Sequence, residues 1–114
     1  MNELLGIGRI KFHEDKLDEF KRLSAEVMGI VRTKDTGTLQ YDIFFNDDQS
    51  ECIVVERYKD SSALMEHAQH VGHLMGAIFA TGWVSSEMLG DPSPEIRARM
   101  ADGGVRLFVP FLSL

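Results

Sequence analysis

An α+β domain of order βαββαβ, extended by a short helix and a closing strand, is predicted by three observations. Apolar residues recur along the chain with periods of two and 3.6 that alternate in that order. A polar turn, Asn46-Asp47-Asp48-Gln49-Ser50, separates two strand-like runs closely enough to make them an antiparallel hairpin. The 114 residues contain no long polar or proline-rich run that would divide them, so one domain over residues 1–114 is expected.

Leu4 to Phe12 carries apolar residues on both alternating sets, as a strand between two packed layers does. Gly6 and Gly8 share a face with Leu4, Ile10 and Phe12. The two missing side chains leave a groove, read as close helix packing in preference to a ligand cavity. From about Asp15, a plausible N-cap, Leu17, Phe20, Ser24, Val27, Met28 and Val31 mark the first amphipathic helix, which ends at Asp35-Thr36-Gly37.

The second strand is Thr38 to Asn46, with Leu39, Tyr41, Ile43 and Phe45 on one face, and the third is Glu51 to Tyr58. Asp60 or Ser61 then caps a helix whose apolar stripe is Leu64, Ala68, Val71, Met75 and Ile78. Gly72 and Gly76 predict a break, with a second helical segment over roughly His73 to Ala80. Trp83 to Leu89 forms the fourth strand. Ser93-Pro94-Glu95 is a strong helix start, the glycines at 103 and 104 a stop, and Val105, Leu107, Val109 and Phe111 alternate as a final strand.

This order is the ferredoxin-like arrangement, an antiparallel sheet with helices on one face. Its other face stays uncovered, so a homodimer through the sheet, a dimeric α/β barrel, is the expected state, with Val105 to Phe111 reaching toward the partner.

A formal charge of −6, from 12 basic and 18 acidic side chains, opposes binding to nucleic-acid phosphates. The basic residues are scattered, which does not suit an anionic membrane, and no apolar run reaches the ~18 residues of a membrane span. The single cysteine, Cys52, lies in an apolar run and reads as a buried thiol. The N-terminus lacks a basic stretch leading into an apolar core, so a soluble cytoplasmic protein is expected.

One ionisable group stands out. His67 falls on the helical stripe of Leu64, Ala68 and Val71, where an imidazole needs a partner or a ligand. Three stretches around it carry a resemblance. Gly37-x-x-x-Tyr41, then Glu56-Arg57-Tyr58-Lys59-Asp60-Ser61 with Ala63-Leu64 and His67, and finally Gly72-His73-Leu74 resemble, in that order, the antibiotic biosynthesis monooxygenase family. The likeness covers about residues 4–90, and the Gly90-Asp91-Pro92-Ser93-Pro94-Glu95 tail resembles one subgroup. It departs in having Tyr58 where the family more often has Trp, and in lacking a Ser-Pro pair before His73 and an aromatic residue after it.

The resemblance implies oxygenation of a small aromatic phenol or quinol without metal, flavin or other cofactor, in a pocket between the sheet and the second helix. An electron-rich phenol, once deprotonated, passes an electron to oxygen by itself, so the protein need supply only a base, desolvation and orientation. His67 is then the candidate base. Tyr41 and Tyr58 are candidate hydrogen-bonding groups, Trp83 a stacking wall, and His73 a further substrate contact.

Other readings stand beside this one. His67 also suits a hydrogen-bonded pocket residue, and Tyr58 and Trp83 suit packing. Glu56 beside Arg57 suits a structural ion pair within the dimer rather than an acid or base. His67, His70 and His73 invite a metal reading, but at ~100° per residue the outer two lie about 120° apart around the helix. A haem-binding relative would place a histidine near Ala77. A polyketide-cyclase-like role uses the same pocket without oxygen, and a non-catalytic dimeric small-molecule-binding module needs no chemistry at all.

Overall fold

The computed structural model describes residues 2–114. Its elements are β1 (Leu4–Phe12), α1 (Leu17–Lys34), β2 (Thr38–Phe45), β3 (Glu51–Tyr58), α2 (Ser61–Phe79), β4 (Gly82–Leu89), α3 (Pro94–Gly103) and β5 (Arg106–Phe108). The sheet order is β2-β3-β1-β4-β5, a ferredoxin-like sheet in which β1 holds the centre.

Phe20, Leu23 and Val27 of α1 pack with Ile10, Cys52, Val54, Val71 and Ile78 into the larger core cluster. A smaller cluster of Leu4, Met88, Ile96 and Met100 sits under α3. Burial pushes the Cys52 thiol up to about 11, the inert thiol its apolar run predicts. No described helix is long and apolar enough to cross a membrane.

Several boundaries differ from the sequence reading, each for a physical reason. Helix α1 starts at Leu17 with Lys16 at the N-cap and no side-chain cap. Asp15, the expected cap, instead takes a left-handed turn at φ 65°, a conformation that aspartate tolerates better than most residues. Helix α2 is continuous, not broken at its glycines. Gly72 and Gly76 lie on its solvent side, where an added Cβ would meet nothing within 4 Å. Each costs about 1 kcal/mol of helix propensity, and burial of Val71 and Ile78 on the other side offsets that cost.

In β2 the register shifts between Thr38 and Gln40. This bulge turns Leu39 away from the core, leaving it 53% exposed, while Tyr41, Ile43 and Phe45 pack inward as expected. Gly37, just before it, admits no side chain, since an added Cβ would stand 2.5 Å from the Cβ of Ala63. The loop and the first turn of α2 are therefore in backbone-close contact.

The last strand is shorter than expected and runs parallel to β4. Helix α3 forms a crossover between them, and a crossover delivers parallel strands where a tight hairpin would deliver antiparallel ones. Pro110 has no N–H to extend the ladder, and Phe111 and Leu112 stand exposed beyond it.

Candidate active site

Between the two core clusters lies a cavity of about 330 Å³, in the size range of small-ligand pockets. Its floor is Gly6 and Gly8 of β1, its roof Leu64, His67, Val71 and Met75 of α2, and α3 closes one end with Ile96 and Met100. The groove left by the two glycines is thus a ligand-sized space, not the close helix approach favoured from sequence. A side lobe of about 110 Å³ extends under Tyr41 and shares Gly8, Glu56, Met75, Phe79 and Ser86 with the main cavity.

Asp35 organises the polar wall. It occupies the C-cap of α1, where the helix dipole disfavours a carboxylate, and its side chain is only 1% exposed. Such a placement persists because donors surround it. Oδ2 lies 2.8 Å from Nδ1 of His67 and accepts from Oγ1 of Thr38 at 2.7 Å, and Oδ1 lies 2.6 Å from Nδ1 of His70. Burial works to raise its pKa, but the bonds from His70, Thr38 and His67 together hold the carboxyl below its ordinary value.

An ionised Asp35 fixes the tautomer of His67. The imidazole donates through Nδ1–H to the carboxylate, and Nε2 is left as a basic lone pair. The ring is 5% exposed and lies between two phenols, with centroids 5.5 Å from Tyr41 and 5.3 Å from Tyr58. Nε2 stands 3.7 Å from Oε1 of Glu56, beyond a direct hydrogen bond.

Glu56 shares the inward parity of Cys52, Val54 and Tyr58 and lines both lobes. Its Oε1 accepts from the hydroxyl of Tyr58. Burial raises the Glu56 carboxyl, partly opposed by the Tyr58 bond and by His67. Burial above all pushes both tyrosines well above the ordinary phenol range, so neither is a phenolate near neutrality. Within the chain, Glu56 and Arg57 do not pair with each other. Adjacent strand residues point to opposite faces, and Arg57 pairs instead with Glu3 at 3.2 Å and Gln40 at 3.4 Å.

The sequence-predicted residues therefore separate. His67 faces the main cavity and Tyr41 the side lobe. Tyr58 is fully buried behind Glu56 and reaches the cavity only through it. Trp83 is 65% exposed on the outer sheet face, edge-on to His13 at 4.3 Å, so it is no wall of this cavity. Its register opposite Lys11 assigns it to the wrong parity. His73 is exposed on α2, a third of a turn from His67, and does not line the cavity either.

His70, in contrast, joins the network through Asp35. Asp35, Glu66 and His70 bring potential donor atoms within 4.8 Å of one another, each already engaged: Thr36 bonds Glu66 through its N–H at 2.7 Å, and His70 bonds Asp35. The sequence reading missed Asp35, Glu56 as a cavity group, and the end wall from α3. Two signals were present: an acid at a helix C-terminus, and a glutamate on a strand's buried parity.

The model of the family described as antibiotic biosynthesis monooxygenase matches residues 5–75, well over half of the chain. No curated protein matches it. Among solved structures, MupZ from Pseudomonas fluorescens is 18% identical at a TM-score of 0.83, covering 100% of this chain and 94% of that one. Rv0793 from Mycobacterium tuberculosis is 22% identical at 0.69, covering 81% and 97%. A mutant of SnoaB, a cofactor-independent oxygenase from Streptomyces nogalater, is 13% identical at 0.66, covering 77% and 91%. At these identities the structures share the fold.

Proposed function

The chain belongs to the antibiotic biosynthesis monooxygenase family, and from that premise we propose that it is a cofactor-independent monooxygenase of a small aromatic phenol or quinol. The observation that carries this reading is a buried imidazole on the cavity wall, with Nδ1 2.8 Å from the Asp35 carboxylate and Nε2 on the side of Glu56, another lining residue. His67 takes the phenol proton, and the phenolate, desolvated among apolar side chains, reduces oxygen by one electron. The radical pair recombines at a ring carbon, and the imidazolium returns its proton to the resulting peroxide anion to give a hydroperoxide. Loss of water from that carbon leaves a carbonyl, so one oxygen atom enters the product and the other leaves as water.

The assay is oxygen uptake by metal-stripped protein over a phenol and quinol panel. Uptake is expected with at least one member, slowed at least about a hundredfold in His67→Ala when both proteins are assayed well below that variant's lowered melting temperature. Saturable binding without uptake across the panel would replace this reading with that of a binding module.

We further infer that the working unit is a homodimer of this one domain, formed through the outer sheet face, in the cytoplasm. Phe44, Ile53, Trp83, Leu89 and Phe108 stand exposed and apolar on the strands, with Phe111 and Leu112 beyond them. Sedimentation at micromolar concentration should give twice the mass of the chain. A folded monomer there would refute the dimer.

A further inference from the structure

One oxygen of the Glu56 carboxyl is free. Oε1 accepts from Tyr58, whereas among the described residues Oε2 has no hydrogen-bond partner. No buried polar side-chain atom there lacks a partner, so Oε2 is not sealed in protein and opens on the space that Glu56 lines. Oε1 is 3.7 Å from Nε2 of His67. That gap is too long for a direct bond, and Oε2, carried on the same carbon as Oε1, is near enough to Nε2 for one substrate oxygen to contact both residues.

We propose that Glu56 donates a hydrogen bond to the same substrate oxygen whose proton passes to Nε2 of His67, so that carboxyl and imidazole hold one phenolic hydroxyl from two sides. This rests on reading the cavity as a phenol site and assigns the group that steadies the anion formed there. The balance is simple. The O–H bond breaks, its proton goes to Nε2, its electron pair stays on oxygen, and that oxygen accepts from Oε2–H of a carboxylic acid that remains protonated throughout. The imidazolium is then paired with Asp35.

Burial works toward the acid form. The groups facing the site are Tyr58 from β3, Tyr41 from β2, His67 from α2, Glu87 from β4 and Arg99 from α3. Glu87 is paired with Arg9 at 2.7 Å. Burial raises the Glu56 carboxyl against the opposing Tyr58 bond and His67, and because Oε1 accepts from Tyr58, a hydrogen on this carboxyl sits on Oε2. A preorganised donor aimed at a developing oxyanion in a water-poor site is an effective way to stabilise it.

The test uses 4-nitrophenol, whose ionised form absorbs in the visible, titrated into metal-stripped protein under nitrogen. Wild type should bind the phenolate and lower the ionisation midpoint of the bound phenol relative to the free one. Glu56→Gln, which keeps an N–H donor in place, should retain most of that shift, and Glu56→Leu should lose it with at least about tenfold weaker phenolate binding. Unchanged phenolate binding in Glu56→Leu would show that the carboxyl does not touch the phenol. A Gln variant as poor as Leu would show that a carboxylate base, not a donor, is needed, and would also overturn the assignment. Because oxygen is absent, the outcome is independent of turnover. Glu56-dependent phenolate binding without oxygen uptake in the separate assay would end the oxygenation reading while leaving this one intact.

Discussion

Replacing Asp35 with alanine is expected to lower the unfolding free energy by about 3 kcal/mol and the melting temperature by roughly 12 °C near neutral pH. The carboxylate is almost fully enclosed, and its removal strands three donors together: Thr38, His67 and His70. His67 suffers most, because its ring is buried beside two tyrosines and a buried donor left without its acceptor costs more than an exposed one. His70, a quarter exposed, can turn to solvent, so His70→Ala should cost far less. The pH dependence has a definite sign. Asp35 titrates below its unfolded value of 3.8, so its contribution is complete above that pH and is lost as pH falls through the lower folded value. The gap between wild type and variant should therefore be widest near neutrality and narrow in acid. Equal melting temperatures at pH 7 would refute the central role given to this carboxylate.

The same residue shows why a sequence discloses some of a site and conceals the rest. Periodicity placed the first four strands and the cores of the two long helices because burial of Val27, Val54 or Val71 follows repeats that a chain displays locally. His67 was legible for the same reason, as a polar group on an apolar stripe. Asp35 joins His67 across 32 residues, and no local pattern encodes that meeting. The family resemblance favoured Trp83 and His73, whereas parity and helical phase, both computable from sequence, assign them to the outer face and to solvent. Glu56 illustrates the reverse case. Reading its neighbour as a partner obscured the more basic fact that successive strand residues face opposite ways.

Gly8→Leu should separate stability from binding. Gly8 sits mid-strand in the central strand, opposite Val54 on one side and Ser86 on the other, and an added Cβ would have Val54 alone within reach, at 4.0 Å. Nothing there requires glycine for the backbone, and glycine costs a strand roughly 0.5–1 kcal/mol relative to a residue with a side chain. Leucine would also bury apolar surface inside the cavity against Met75 and Phe79. The melting temperature is therefore expected to rise by a few degrees, while affinity for a phenol such as 4-nitrophenol falls at least about a hundredfold, because the side chain occupies the floor on which a ring would lie. Gly29→Ala supplies the comparison. It lies on α1 with nothing within 4 Å of an added Cβ, so it should bring about 1 kcal/mol of helix stability and leave phenol affinity unchanged. If Gly8→Leu bound phenol as well as wild type, the cavity would not be the binding site. If it bound poorly but also melted early, the glycine would instead serve packing, as the sequence alone suggested. A gain in stability coupled to a loss of binding is the signature of a strand that forgoes two side chains to keep space for a ligand.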